Sequence, residues 1–341
     1  MVLKTAIVIL NWNTRQHLQT FLPFLVKYSS LPDVEIIVAD NASDDDSVDF
    51  LKANYPNITL LLLDKNYGFA EGYNKALKEV KAECYVLLNS DIEVTENWLQ
   101  PLIDLLESNP EIAVVMPKLL SYYQRNYFEY AGAAGGYIDK YGYPFCKGRI
   151  FETMEKDEGQ YNGTSEIFWA TGACLAIKSD IFHMAGGFDS YFFAHQEEID
   201  LCWRLQHKGY KIFCNTQSIA YHLGGGTLPK SNPYKTYLNI RNNHVLLYKN
   251  LPKKKWIKIF LIRIPLDILA ALKFLSGSQP SEFWAVFKAY YSFCSYLRTS
   301  KRELMVTNTS FRLIYQGSII YQYFFLKKNK FSDIKFKVGS K

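Results

Sequence analysis

Most of the side chains in this chain that can do chemistry fall in four short polar runs, each following a run of apolar residues. Asn11 and Asn13 follow TAIVIL, Asp40 closes VEIIVAD, Asn66 and Gly68 follow ITLLLL, and Asn89, Ser90 and Asp91 follow the run ending at Leu88. Any one of them reads as an ordinary Asx turn or helix cap. Four in succession, each after a strand-like run, mark the edge at which open α/β sheets bind ligands. A carboxylate at position 40 can accept hydrogen bonds from a uracil or thymine N–H or from ribose hydroxyls. Asn66, Gly68 and Asn74, within NYGFAEGYN, combine a tight turn with a helix start, whose free N–H groups favour an anion. Asp91, after a buried strand, can hold a divalent cation against a diphosphate.

A second constellation lies further along. Glu197, Glu198 and Asp200 crowd what reads as a helix N-terminus, where carboxylates suit the macrodipole. One of the three can also take a proton from an acceptor hydroxyl, its pKa raised by its neighbours. Trp169, Gly172 and His195 are assigned to the acceptor side of the same site. His222 precedes Leu223-Gly224-Gly225-Gly226-Thr227, and an imidazole at a glycine-rich turn can complete an octahedral site begun by Asp91 and phosphate oxygens. Arg241, Asn242 and Asn243 either touch the diphosphate or begin a surface helix. Neither GxGxxG nor GxxxxGK[ST] occurs, which argues against a dinucleotide or P-loop site.

These residues need a scaffold, and the first 120 residues supply its pattern. Apolar runs at Thr5–Leu10, Val34–Asp40, Ile58–Leu63, Tyr85–Leu88 and Ala113–Met116 alternate with helical spacing, as parallel strands joined by crossover helices do. Ser43, with Asp46 three residues on, reads as a helix cap. Phe69–Val80 has helical spacing, and Thr95 reads as opening a helix that contains Trp98 and Leu102. The fold class expected is a doubly wound, mostly parallel α/β sheet flanked by helices. Residues 1–120 form its donor half and 121–248 its acceptor half. Tyr122–Tyr161 reads as an irregular insertion, and a helix over Glu198–His207 ends at Gly209. The six cysteines have no metal-ligand spacing and read as reduced and structural.

Charge divides the chain. Residues 249–341 carry 18 Lys and Arg against 4 Asp and Glu, a net +14, whereas residues 1–248 carry −8. The basic part also holds the most aromatic stretches, Trp256–Leu275 and Phe311–Leu326, so it reads as an amphipathic helical region for a membrane surface rather than for nucleic acid. Lys258, Arg263, Asp267 and Lys273 interrupt the first stretch, so it is expected to lie in the interface, not to span. With no secretory signal pattern at Met1, the expected place is cytoplasmic and peripheral on the inner face of the plasma membrane.

Six segments in fixed order, VILNWN, VADNAS, NYGFAEGYN, VLLNSDIEV, WATGACLAIKSDIF with GGFDSYFFAHQEEIDLCWRL, and AYHLGGGT, resemble the family-2 glycosyltransferases of the GT-A fold, in particular the bacterial rhamnosyltransferase-like subgroup. The resemblance covers roughly residues 4 to 245. It implies an inverting enzyme that moves a sugar from a nucleotide-diphosphate donor, dTDP-rhamnose or a UDP-sugar, to a glycan or lipid-linked acceptor with the help of Mg²⁺ or Mn²⁺. By it, Asn11, Asp40 and Asn66 contact the nucleotide, Asp91 and His222 bind the metal, and Glu198 matches the catalytic base. Asn89 departs from the family's usual first aspartate. Glu198 stands where aspartate is common, which leaves Glu197 and Asp200 as alternative bases. The Gln-x-x-Arg-Trp motif of processive synthases is missing, so a nonprocessive enzyme is expected. The rival readings are a nucleotide-sugar-binding protein without turnover and a sugar nucleotidyltransferase; the latter usually has a glycine-rich basic loop where this chain has Asn11-Trp12-Asn13-Thr14-Arg15.

Overall fold

The computed structural model describes residues 3–224, 232–300 and 313–336. Gly225 to Thr227 of the glycine-rich turn, Phe311 and Arg312 of the second aromatic stretch and the terminal Lys337–Lys341 lie outside them. Strands β1 (Leu3–Asn11), β2 (Val34–Asp40), β3 (Thr59–Leu62), β4 (Ala82–Leu88), β5 (Ile92–Val94) and β6 (Ile112–Ser121) alternate with helices α1 (Arg15–Tyr28), α2 (Ser47–Asn54), α3 (Gly68–Glu79) and α4 (Gln100–Ser108). A small sheet follows, β7 (Gly136–Asp139), β8 (Pro144–Cys146), β9 (Arg149–Ile150) and β10 (Thr153–Met154). The chain then returns to the main sheet through β11 (Thr164–Ile167), β12 (Cys174–Lys178) and, after α5 (Ser179–Met184) and α6 (Glu197–His207), the long β13 (Lys211–His222). Helices α7 (Pro233–Asn250), α8 (Lys253–Ser276) and α9 (Pro280–Thr299) and strand β14 (Ile314–Tyr315) complete it.

The main sheet runs β11-β13-β6-β12-β4-β1-β2-β3, with β5 on the end of β13. Its donor half, β3-β2-β1-β4, is parallel as the apolar runs predict, because crossover helices cover both faces. Ala6 and Val8 of β1 face a core shared with Tyr73 and Leu77 of α3, while Ile7 and Ile9 face a second core with Leu18 and Leu22 of α1. The acceptor half mixes directions, since β12 enters antiparallel between β4 and β6. A register shift between Asn215 and Ile219 bends β13, whose end pairs with β5 so that His222 lies opposite Ile92. That pairing brings two segments far apart in sequence to one sheet edge.

Three local expectations need correction. Ser43 does not cap α2, which starts four residues later, because its hydroxyl and N–H are spent on Asp40. Trp98 precedes α4 instead of lying in it; Thr95 donates to Ile219 O and Pro101 stands in the first turn. Residue 248 is not a break in packing: α7 runs through it, β14 joins the small sheet beside β7, and Phe331 and Ile334 are core residues. Asp139 and Glu155 of the acceptor half accept from Ile319 N and Phe331 N, so this part is integral to the fold, and among its described residues α8 and α9 are the long helices. All six cysteines are free thiols, five of them buried.

Candidate active site

At the donor edge the polar strand ends knot together. The Asn11 carboxamide donates to Asp40 Oδ1 at 2.7 Å and to Ser43 Oγ at 3.0 Å, and Ser43 N donates to Asp40 Oδ2 at 2.9 Å. Asn13, exposed and with φ +55°, fastens the first loop to the second by accepting from Asp44 N. Asn41, to which the sequence assigns no particular role, is buried and ties this edge to the next loop. It donates to Asn66 Oδ1 and Gly68 O, both at 3.0 Å, and accepts from Tyr67 N. The strands therefore place Asn11, Asp40 and Asn66 along one edge, with Asn66 exposed at its rim.

The start of α3 is not the anion cradle expected of it. Gly68 N donates to Asn66 Oδ1, while Phe69 N and Ala70 N donate to Phe193 O at 2.8 and 3.1 Å. A Cβ on Gly68 would sit 2.5 Å from the Phe193 ring, and φ of +72° already favours glycine there. Asn74 clamps the Phe188 backbone, donating to its carbonyl at 2.7 Å and accepting from its N–H at 2.9 Å. Gly68 and Asn74 thus join α3 to the loop before α6, and their polar capacity is used internally.

Beyond β4, Asn89 N donates to Ala173 O, and Asp91 follows, buried. The β5–β13 pairing sets His222 Nε2 3.3 Å from Asp91 Oδ1, and Leu223 N donates to Asp91 O at 3.1 Å. Burial alone would raise the Asp91 carboxyl, but the imidazole beside it holds it below the usual range. Burial would likewise lower His222, yet Asp91 and Glu129 push it well above its ordinary value. The pair suits a divalent cation: a carboxylate oxygen and an imidazole nitrogen at this spacing match one edge, about 3 Å, of an octahedron with bonds of about 2.1 Å. Among the described residues no third His, Cys, Asp or Glu converges on it in ligand geometry, so water and phosphate oxygens would fill the other positions.

The loop Thr171–Ala173 connects this corner to α6, because a Cβ on Gly172 would lie 3.9 Å from Glu197 Oε1. Glu197 is buried and Glu198 half-buried, and each has an Oε2 atom shielded from solvent without a hydrogen-bond partner. Burial raises Glu198 to about 7 and raises Glu197 well above the usual carboxyl range, with the Glu198 charge adding to the effect on Glu197. His195, pushed down to about 4 by burial, stands just before them with its Nε2 likewise unpartnered. Phe193, His195 and Gln196 all have positive φ, a strained run of the kind that persists only where the surroundings hold it.

Helix α7 does that holding. Asn242 Nδ2 reaches the carbonyls of Phe192, Ala194 and His195 at 2.7–3.0 Å, Arg241 donates to Tyr191 O and Phe192 O, and Asn243 donates to Gln196 Oε1. These three residues are buried braces of the base loop, neither diphosphate contacts nor a surface helix start. Asp200 is no candidate base either: it is fully buried, receives Arg204 Nε, Lys249 Nζ and Asn250 Nδ2 at 2.7–2.9 Å, and those cations hold its carboxyl low against the effect of burial. Trp169 is likewise structural; it is buried, its indole N–H donates to Tyr137 O and its ring packs against Gly136, where a Cβ would collide with it.

Comparisons with known proteins give the family and the fold. Residues 6–183, just over half the chain, match the family model described as Glycosyl transferase family 2. The O-antigen biosynthesis protein RfbC of Myxococcus xanthus is 26% identical over 225 residues, spanning 64% of this chain but only 17% of that protein. The N-acetylglucosaminyl-diphospho-decaprenol L-rhamnosyltransferase of Mycobacterium tuberculosis is 23% identical over 237 residues, 65% of this chain and 76% of its own. Among solved structures, GalNAc-T7 with UDP, GalNAc and Mn²⁺ superposes with a TM-score of 0.54 at 14% identity, covering 73% of this chain and 48% of that one. The fold is that of GT-A glycosyltransferases, and the chain belongs to glycosyl transferase family 2.

Proposed function

We propose that the protein transfers a single sugar, with inversion, from a nucleotide-diphosphate sugar to a hydroxyl of a glycan or lipid-linked acceptor at a membrane surface. One observation carries this reading. The Asp91–His222 pair and the Glu197–Glu198 pair flank one corner of the sheet edge, joined by the Asn89–Ala173 hydrogen bond and the close approach of Gly172 to Glu197. Glu198, whose elevated pKa suits proton abstraction near neutrality, removes the acceptor proton as its oxygen attacks the anomeric carbon. Asp91 and His222 would hold a divalent cation at the diphosphate end of the donor, and the edge built by the buried Asn11–Asp40 pair, with Asn66 exposed at its rim, orients the nucleoside. A Mg²⁺ or Mn²⁺ ion bound there supplies positive charge to the departing diphosphate. One base and one leaving group suffice for a single displacement, which inverts the anomeric centre.

The relative from Mycobacterium tuberculosis is named for an L-rhamnosyl donor and a decaprenol-linked acceptor, which favours dTDP-rhamnose over UDP-sugars and a polyprenyl-diphosphate glycan as acceptor. A donor screen by thermal shift with and without Mn²⁺, followed by NMR of the product's anomeric configuration, tests this. Stabilisation of several degrees by one nucleotide sugar and product of inverted configuration is expected. A retained configuration would overturn the mechanism.

The membrane part rests on α8 and α9. Leu261, Leu269, Leu272 and Leu275 form an exposed stripe on α8, and Trp284, Phe287 and Tyr291 are exposed on α9, Trp284 at 66% and Tyr291 at 78%. Lysines at 253–255, 258, 273 and 288 lie on the same helices, so the face combines apolar area with the charge that anionic lipids attract. No described helix is long and apolar enough to cross a membrane. Truncation at Lys253 would strip core residues such as Phe293 and Phe331, so a surface variant is the sound test. The triple substitution Leu261→Glu, Leu269→Glu, Trp284→Glu should weaken binding to phosphatidylglycerol-containing vesicles at least ten-fold while donor hydrolysis stays unchanged. Undiminished vesicle binding would remove the membrane from the proposal.

A further inference from the structure

The segment between β6 and β7 carries a buried carboxylate that no part of the mechanism above uses. Glu129 Oε1 lies 3.2 Å from His222 Nδ1, on the opposite side of the imidazole from Asp91, at ion-pair distance though not in hydrogen-bond alignment, and it is the carboxylate that the buried Nδ1 faces. Its other oxygen accepts from Ala131 N, and Glu129 N donates to Leu119 O at 3.1 Å, so the backbone fixes where the carboxylate points. Room beside it is limited: a Cβ on Gly224, whose φ is +71°, would stand 3.3 Å from Oε1. The side chain is 5% exposed, so this carboxylate is built against the imidazole and is not a surface group passing by.

We propose that Glu129 is a positioning residue for the cation site: it holds His222 with Nδ1 protonated and Nε2 presented beside Asp91 as a ligand. An imidazole has two nitrogens, and only the one without a proton can bind a metal, so a carboxylate at Nδ1 selects the tautomer that frees Nε2. The same contact fixes the ring plane and raises the donor strength of Nε2. With two protein ligands at this corner among the described residues, orientation of one of them governs affinity strongly. The inference rests on the metal reading of Asp91 and His222 given above, and the test separates the two.

Mn²⁺ alone serves as the probe, with the free ion followed by its EPR signal during titration of the full-length protein and its variants. Loss of an outer carboxylate costs about 10- to 100-fold in metal affinity, which is the drop expected for Glu129→Ala, whereas Glu129→Gln, whose amide oxygen can still accept from Nδ1, should lose only a few-fold. In a double-mutant cycle, Glu129→Ala should add little in a His222→Ala background, because its effect passes through that ring. Nucleotide binding measured in EDTA should match the parent, which a general loosening of the fold would not allow. Parent-like Mn²⁺ affinity in Glu129→Ala, or an equal loss with and without His222, overturns the proposal for Glu129 and leaves the Asp91–His222 reading intact. If the parent protein binds no Mn²⁺, or His222→Ala binds it equally well, the metal reading fails and this inference falls with it.

Discussion

Glu198→Gln should lower kcat by about two to four orders of magnitude, the usual contribution of a positioned general base, while donor affinity stays within a few-fold of the parent. Glutamine keeps the shape of the side chain and removes only its ability to take a proton. The pH dependence gives a second signature. Burial raises Glu198 to about 7, so activity of the parent should climb as pH rises through about 7, where the carboxyl ionises. Glu197 is raised as well, by its own burial and by the Glu198 charge, so the two carboxyls titrate together and the observed limb belongs to the pair. The linked stability effect has a definite sign. A carboxyl whose folded pKa exceeds its unfolded value near 4.5 favours the fold only while protonated, and that advantage is lost as pH rises through the folded pKa. Glu198→Gln should therefore melt at a higher temperature than the parent above about pH 7 and at nearly the same temperature near pH 4, making it a variant that is stabler and inactive. Parent-like turnover would remove Glu198 from the mechanism; a parent protein that binds donor tightly yet never transfers it would favour the rival reading of a binding protein.

The parallel half of the sheet was legible because each strand is a continuous apolar run, and the edge bearing the site followed from that. Pairing beyond it was not legible: β12 enters antiparallel between β4 and β6, and nothing local in CLAIK specifies its neighbours. Polar residues divide along the same line. Asn11 and Asp40 were readable as strand-end groups, but whether an asparagine binds a ligand or braces the backbone depends on who occupies its amide. Asn74 gives its amide to Phe188 and Asn242 gives its own to three carbonyls of the base loop, partners remote in sequence. Trp169 reads as an acceptor-side residue until Gly136 is found against its ring. Glu129 sits in a stretch without periodicity, and only the return of β13 gives it meaning. A signal was present for the base: three acidic residues in four, downstream of the Gly186-Gly187 pair, single the segment out, though which of them is braced and which is poised required the α7 contacts.

Asp200→Asn should be the most destabilising single change near the site, by about 3 to 5 kcal/mol, because it strips one partner from a buried ion-pair network. The Asp200 side chain is fully buried, and Arg204 and Lys249, at 14% and 20% exposure, are largely shielded from solvent screening. Arg204 also donates to Ala185 O and Gly187 O, and Lys249 to Asp189, so the network ties α6 and α7 to the Gly186-Gly187 turn. A loss of this size should lower the melting temperature by roughly 4 to 7 °C for a chain of this length. Its pH dependence runs opposite to that of Glu198. Although burial opposes it, Arg204 and Lys249 hold the folded pKa of Asp200 below its unfolded value, so the stabilisation is present above about pH 4 and lost as pH falls through the folded pKa. The melting temperatures of parent and variant should therefore converge under strongly acidic conditions and diverge near neutrality. Below its melting temperature the variant should keep kcat within about ten-fold, because no catalytic proton is assigned to this carboxyl. An Asp200→Asn protein that melts with the parent yet transfers no sugar would show that the braced and the poised carboxylates have been exchanged.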